Sequence, residues 1–130
     1  MADPGPLDAV VLVADDDALV RSVLGMALAS QGLSVVESTS VDEIRAAARS
    51  HPLRLAVLDI NMPGGTARNA LDALRASHPE LPVLVLSGEL HPPAELAEVG
   101  FEFARKPIDL ADFLERVGRL LTLSRSGPPT

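Results

Sequence analysis

Five polar residues of this chain stand where apolar runs stop. Asp15 and Asp16 follow VVLVA, Asp59 follows LAVL, Ser87 follows VLVL, and Lys106 comes two residues after FEFA. Brought together, three carboxylates repel one another and raise each other's pKa unless a cation relieves them. A hard divalent ion with oxygen ligands suits such a cluster, and Mg2+ usually binds through one or two carboxylates, waters and a phosphate. A carboxylate can also act as a nucleophile and become an aspartyl-phosphate. An ammonium such as Lys106 then pairs with one phosphoryl oxygen, and a hydroxyl such as Ser87 hydrogen-bonds another. The residue types together describe a Mg2+-assisted phosphoryl acceptor site. Singly they mean little, because an Asp after a strand is commonly the N-cap of the next helix. Four strand ends offering such groups at once carry the reading.

The elements that must deliver these groups are visible in the hydrophobic period. Ala9 to Ala14 is a continuous apolar run, the pattern of a strand covered on both faces. Leu19, Val20, Val23, Leu24, Ala27 and Leu28 recur at helical spacing, with Gly32 as the stop. Leu33 to Val36 reads as a shorter second strand. Ser40 and Glu43 form a capping box that opens a helix through Ala48, which His51-Pro52 breaks. Leu55 to Leu58 is a third strand, Arg68 to Ser77 a helix, and Val83 to Leu86 a fourth strand. Ala94 to Val99 reads as a short helix ending at Gly100, and Phe101 to Ala104 as a fifth strand. Leu110, Phe113, Leu114, Val117, Leu120 and Leu121 stripe a final helix. Five strands alternating with five helices through right-handed crossovers predict an α/β fold, a doubly wound five-stranded parallel sheet with helices on both faces. In such sheets ligands bind outside the carboxyl ends of the strands, the edge where all five polar residues fall.

The chain has 130 residues, 47% of them hydrophobic, enough for one domain with a substantial core. Residues 9–122 are the expected domain. Residues 1–8 and 123–130 read as tails, the second as a natural end or a linker stub. The absence of Cys excludes a disulfide framework, a thiolate metal site and a cysteine nucleophile, and fits a reducing compartment. A net charge of −7 argues against non-specific affinity for nucleic acid or an acidic membrane face. Three Phe are the only aromatics, few platforms for stacking bases. No basic segment precedes the first apolar run, so no signal peptide is expected, and no apolar stretch reaches membrane-spanning length. A cytoplasmic location is the expectation. His51, His78 and His91 each precede a Pro and read as loop-initiating residues, not as metal ligands.

The segments VLVADDDALVR, LDINMP and VLVLSG and the pair Lys106-Pro107 resemble, in order and over Val10 to Leu121, the receiver domain of two-component response regulators. The resemblance implies a flavodoxin-like strand order, 2-1-3-4-5. It implies Asp59 as phosphoacceptor, with Asp16, Asp59 and the backbone carbonyl of Asn61 ligating Mg2+ and Asp15 assisting through water. Ser87 takes the place of the family's switch Thr or Ser, and Phe103 that of its switch aromatic. Lys106 is implied to contact the phosphoryl group, and its peptide bond to Pro107 is expected to be cis. The implied function is a switch and not an enzyme, although self-catalysed phosphorylation and dephosphorylation are expected. A histidine kinase or histidine phosphotransfer protein donates to Asp59, and contacts with a downstream protein target shift. Nucleic acid and membrane are not among the implied partners, and the chain is expected to be a monomer or a weak homodimer.

Some positions read otherwise or depart from the family. Asp17 opens the first helix and is expected as its N-cap or a first-turn charge. Met62-Pro63 is expected to shape the loop after Asp59, where Gly64-Gly65 come early and Ala67 replaces the family's Gly. Pro92-Pro93, in a shortened stretch between Ser87 and Lys106, predicts a short fourth helix. Asn61 and Glu89 each lie two residues beyond Asp59 and Ser87, and resemble the pairing of chemotaxis-type members whose phosphoryl group is short-lived. Two other functions compete. A phosphatase with an Asp nucleophile wants a second Asp two residues on, where this chain has Asn61, and a cap domain. A pseudo-receiver that binds partners without phosphorylation usually lacks the acidic pair, the acceptor or the Lys, all of which are present. No output segment follows the last helix, so the chain is expected to act alone or as the receiver of a larger protein such as a hybrid kinase.

Overall fold

A computed structural model describes residues 10–92, 94–96 and 100–125. In chain order the elements are β1 Val10–Ala14, α1 Ala18–Ala29, β2 Ser34–Ser38, α2 Val41–Ser50 and β3 Leu53–Asp59. They continue with α3 Ala67–Ser77, β4 Val83–Ser87, a 3-10 turn at Ala94–Leu96, β5 Glu102–Arg105 and α4 Leu110–Arg125. The five strands form one parallel sheet in the order β2-β1-β3-β4-β5, as expected.

Strand alternation splits the core in two. Leu12, Ala56, Leu58, Val83 and Val85 pack against α2 and α3, while Val11, Val13, Leu55, Val57, Leu84 and Leu86 pack against α1 and α4. The three central strands are therefore apolar on both faces, which is why they read as unbroken hydrophobic runs. Their backbone hydrogen bonds are spent within the sheet, so polar groups can emerge only where the strands end. Both β3 and β4 stop on such a residue, Asp59 and Ser87.

The differences from the sequence reading have local causes. The expected fourth helix, Ala94 to Val99, is a 3-10 turn at Ala94–Leu96 pinned by the buried Leu96. Residues 97–99 lie outside the described residues, among which four α-helices are present instead of five. Prolines at 92 and 93 leave little chain in which to start an α-helix before the buried anchor is reached. β2 starts one residue later and ends two later than its apolar run, because an edge strand pairs through its backbone whether or not its side chains are apolar. The apolar stripe of α1 is wider than the face it buries: Leu24 and Leu28 are inside, but Leu19 and Val23 are exposed. α4 runs on to Arg125, three residues into the expected tail, while residues 1–9 and 126–130 lie outside the described residues.

Helix starts follow the side-chain chemistry. Ser40 caps α2 by accepting from the Glu43 N–H at 3.2 Å, and Thr66 and Asn69 form a reciprocal capping box on α3. Asp17 is the N-cap of α1, accepting from the N–H groups of Leu19 at 2.9 Å and Val20 at 3.3 Å. An Asp17→Ala chain loses about 1 kcal/mol of stability. Urea unfolding should show this as a lower midpoint at an unchanged slope, and an unchanged midpoint would mean that the cap contributes nothing.

Candidate functional site

Asp15 and Asp59 are the first residue after β1 and the last of β3, neighbouring strands whose register sets Ala14 beside Leu58. Parallel pairing at that register brings both carboxylates to the same edge, with Asp16 one residue further out. One carboxylate oxygen from each of Asp15, Asp16 and Asp59 lies within 4.8 Å of the others. Asp15 and Asp59 are buried and Asp16 is exposed, so the cluster opens to solvent on the Asp16 side.

Lys106 reaches this cluster from the loop after β5. Its Nζ lies 2.9 Å from Asp15 Oδ2 and 3.3 Å from Asp59 Oδ1. Its own N–H donates to the Ser87 carbonyl at 2.7 Å, which ties the loop to the end of β4, and the following bond to Pro107 is cis. Burial pulls the Lys106 ammonium toward neutrality, but the two carboxylates outweigh it and hold its pKa above the ordinary value. One charged ammonium thus bridges two of the three acids, and the cluster keeps an excess of negative charge. The donor set is all oxygen, with no nitrogen or sulfur ligand, which fits a hard divalent cation.

Every hydrogen-bonding oxygen of Asp15 is occupied: Oδ1 accepts from the Asp17 N–H at 2.8 Å, and Oδ2 takes Lys106. Asp59 is less encumbered. Its Oδ1 accepts from the Asn61 N–H at 3.4 Å and faces Lys106, while no hydrogen bond to Oδ2 exists among the described residues. Asn61 is exposed, and Met62 after it is buried, so the loop is anchored one residue past the position that faces solvent.

Ser87 is fully buried at the next strand end, one position beyond the Asp59–Leu86 register pair. Its Oγ accepts from the Glu89 N–H at 3.0 Å, which leaves its own proton to donate. The Glu89 side chain points outward from an exposed position. Phe103 sits beside Val85 on β5, half-buried against the α2–α3 face of the sheet, the face to which alternation assigns Ser87 as well. The structure therefore brings Asp15, Asp16, Asp59 and Lys106 into one cluster. Ser87 lies buried at the neighbouring strand end, Asn61 and Glu89 are exposed two residues beyond Asp59 and Ser87, and Phe103 lies two register positions back from Ser87. Lys106 also lines an apolar groove of about 340 Å³ with Leu19, Val23, Leu24, Pro107, Ile108 and others. Arg21, the last residue of the segment VLVADDDALVR but given no role of its own in the sequence reading, donates from Nη1 to the backbone carbonyl of Asp15 at 2.8 Å. Only its place at the start of α1, six residues past Asp15, hints at such reach.

Comparison with known proteins gives a consistent family. The model of the response regulator receiver domain matches residues 11–118. The DNA-binding transcriptional regulator NtrC of Rhizobium meliloti (strain 1021) is 32% identical over 123 residues, covering 92% of this chain and 25% of that protein. The chain thus spans about a quarter of the length of this relative. A CheY-like receiver domain protein from Methanospirillum hungatei JF-1 superposes with a TM-score of 0.85 over 93% of this chain and 99% of that one. At 19% identity this likeness speaks for the fold alone. The chemotaxis response regulator CheY4 of Vibrio cholerae superposes with a TM-score of 0.80 at 26% identity, covering 87% of this chain and 98% of that one.

The crowding of acids has a measurable consequence. Burial and then the Asp15 carboxylate push the Asp59 carboxyl above its ordinary range, against the weaker pull of Lys106 and the Asn61 N–H. The folded chain keeps a proton on Asp59 to a higher pH than the unfolded chain does. Stability therefore falls as pH rises from 3.8, the ordinary value, through the raised one. Asp59→Asn is neutral throughout and escapes that loss, while Lys106 keeps its bond to Asp15. The variant should melt at a higher temperature than the parent at pH 7, with the gap closing below pH 3.8. A lower melting temperature at pH 7 would show that the Lys106 pairing, not the repulsion, dominates.

Proposed function

Since the chain belongs to the response regulator receiver domain family, we propose that it is a phosphoacceptor switch in which Asp59 takes a phosphoryl group from a phosphohistidine. The observation that carries this reading is the cluster itself: three carboxylates within 4.8 Å, one ammonium bridging two of them, and an Asp59 oxygen with no hydrogen bond among the described residues. The attacking group is that Asp59 oxygen. Its bond to phosphorus forms as the bond from phosphorus to the donor imidazole nitrogen breaks, and the imidazole leaves and takes up a proton. Hydrolysis reverses the loading: water attacks phosphorus, the acyl phosphate bond breaks, and phosphate and the carboxylate are released.

Asp16, Asp59 and the Asn61 carbonyl are the residues we assign to hold Mg2+, with Asp15 assisting. Bound there, the ion would supply positive charge against the phosphoryl oxygens. Lys106 is placed to pair with one of those oxygens, and the Ser87 hydroxyl retains the proton needed to bond another. A phosphoryl group adds about −1.5 to −2 charge at neutral pH. Ser87 moving toward that charge would vacate space beside the half-buried Phe103 and bias the surface of β5 between two arrangements. The proposed donor is a histidine kinase or phosphotransfer protein, and the output is a changed affinity for a downstream protein. The exposed Leu19 and Val23 line the groove that Lys106 shares, and offer a protein donor an apolar foothold beside Asp59.

Intact mass after incubation with acetyl phosphate tests the chemistry directly. The chain should gain one phosphoryl group only when Mg2+ is present, and Asp59→Asn should gain none. A chain that stays unlabelled beside a control receiver that labels would replace this reading with a binding module that works without phosphorylation.

Asn61 and Glu89 are exposed, two residues beyond Asp59 and Ser87, and polar or acidic groups at those positions would leave a path for the hydrolytic water. We propose that they set a short phosphoryl lifetime. Asn61→Met combined with Glu89→Arg should lengthen the decay of the labelled species several-fold, followed by intact mass after the phosphodonor is removed. A decay rate equal to that of the parent would sink the assignment.

A further inference from the structure

The exposed member of the acidic cluster, Asp16, is the one whose direction is least explained by its own contacts. No hydrogen bond to its side chain exists among the described residues, whereas Asp15 and Asp59 are each held by a backbone N–H and by Lys106. What does fix Asp16 is the peptide that precedes it. The Asp15 N–H donates to the Ser38 carbonyl at 3.1 Å, and the Asp15 carbonyl accepts from Arg21 Nη1 at 2.8 Å. The Arg21 Nε donates in turn to Glu37 Oε1 at 2.7 Å. Glu37 and Ser38 are consecutive residues of β2, in register with Val13 and Ala14 of β1. The guanidinium is a planar fork that satisfies two fixed acceptors at once, and its side chain is only 17% exposed.

We propose that the Arg21–Glu37 pair is a positioning device for Asp16: by holding the Asp15 carbonyl it fixes the plane of the peptide between Asp15 and Asp16, and so aims Asp16 at the cation site. The inference rests on the proposed function, since it takes Asp16 as a Mg2+ ligand. Arg21 touches neither ion nor phosphoryl group in this account and acts only through the backbone. Its charge does not recommend it for a cation site. A guanidinium there would weaken Mg2+ binding through space, so any gain it confers must come from geometry. This opposition separates the two effects: replacing Arg21 with Ala removes a repelling charge, yet affinity should fall.

The test is a double-mutant cycle read by Mg2+ titration calorimetry on the unphosphorylated chain, with thermal melts recorded in parallel. Arg21→Ala should weaken Mg2+ binding about 10-fold, at the low end of what loss of a supporting hydrogen bond does to a metal site. Asp16→Asn should weaken it at least as much. The combined variant should bind no more weakly than Asp16→Asn alone, because both changes remove the same contribution. Arg21→Lys keeps the charge but cannot span both acceptors, and should fall short of full rescue. Glu37→Ala, at a half-exposed position tolerant of change, should give a smaller loss with the same non-additivity. It serves as the second probe where Arg21→Ala compromises folding. If the Arg21 variants melt lower but bind Mg2+ as the parent does, or if the losses at Arg21 and Asp16 add, the pair merely staples α1 to β2 and the proposal falls alone. If the parent binds no Mg2+, or Asp16→Asn binds as the parent does, the metal assignment falls and takes this proposal with it.

Discussion

Crowding three carboxylates at one sheet edge with a single ammonium to relieve them is the constraint around which this molecule is arranged. Such a cluster costs folding free energy, because burial and like charge both favour the neutral acid at Asp59. The rest of the structure must hold the acids there despite that cost. It does so by rigidity: β1, β3 and β4 are buried on both faces, and their registers leave the strand ends no freedom to separate. Lys106 is the countercharge, and it too is fixed by backbone, through its N–H on the Ser87 carbonyl. The charge imbalance that remains is the property a divalent cation and a phosphoryl group would together exploit.

Much of this was legible in the sequence for a physical reason. A doubly covered strand must be apolar throughout, so the residue at which the run ends is conspicuous, and in a parallel sheet all such ends lie on one edge. Asp15, Asp16, Asp59, Ser87 and Lys106 stand out on that ground alone. Their roles were not legible in the same way. Which Asp accepts a phosphoryl group was implied by resemblance alone; in the structure Asp59 is buried, and no hydrogen bond reaches its Oδ2 among the described residues.

What the sequence concealed has equally physical causes. Arg21 looks like the lone charge on an apolar helix, and its partners are a backbone carbonyl and a Glu 16 residues away on an edge strand. Backbone acceptors leave no trace in side-chain pattern, so contacts of this kind escape any reading of residue types. The fourth helix was legible as a short one, from Pro92-Pro93. Among the described residues it is a 3-10 turn at Ala94–Leu96, anchored by the buried Leu96.

The same division between rigid interior and loose rim decides how such a site can signal. A phosphoryl group at Asp59 cannot shift β3, which is packed on both faces, and an interior at crystal-like density does not deform gradually. The groups that the proposed switch would move are Ser87, buried with a hydroxyl that accepts one hydrogen bond and keeps a proton to donate, and the half-buried Phe103 on the outer strand β5. In the proposed switch, movement would run from Asp59 along β4 to β5, away from β1 and β2, where Arg21, Glu37 and Ser38 hold the peptide of Asp15. Under the proposed function, the side held by Arg21 and β2 would keep the cation geometry through loading. The response to loading would then fall to the β4–β5 side, where the edge strand carries the half-buried Phe103.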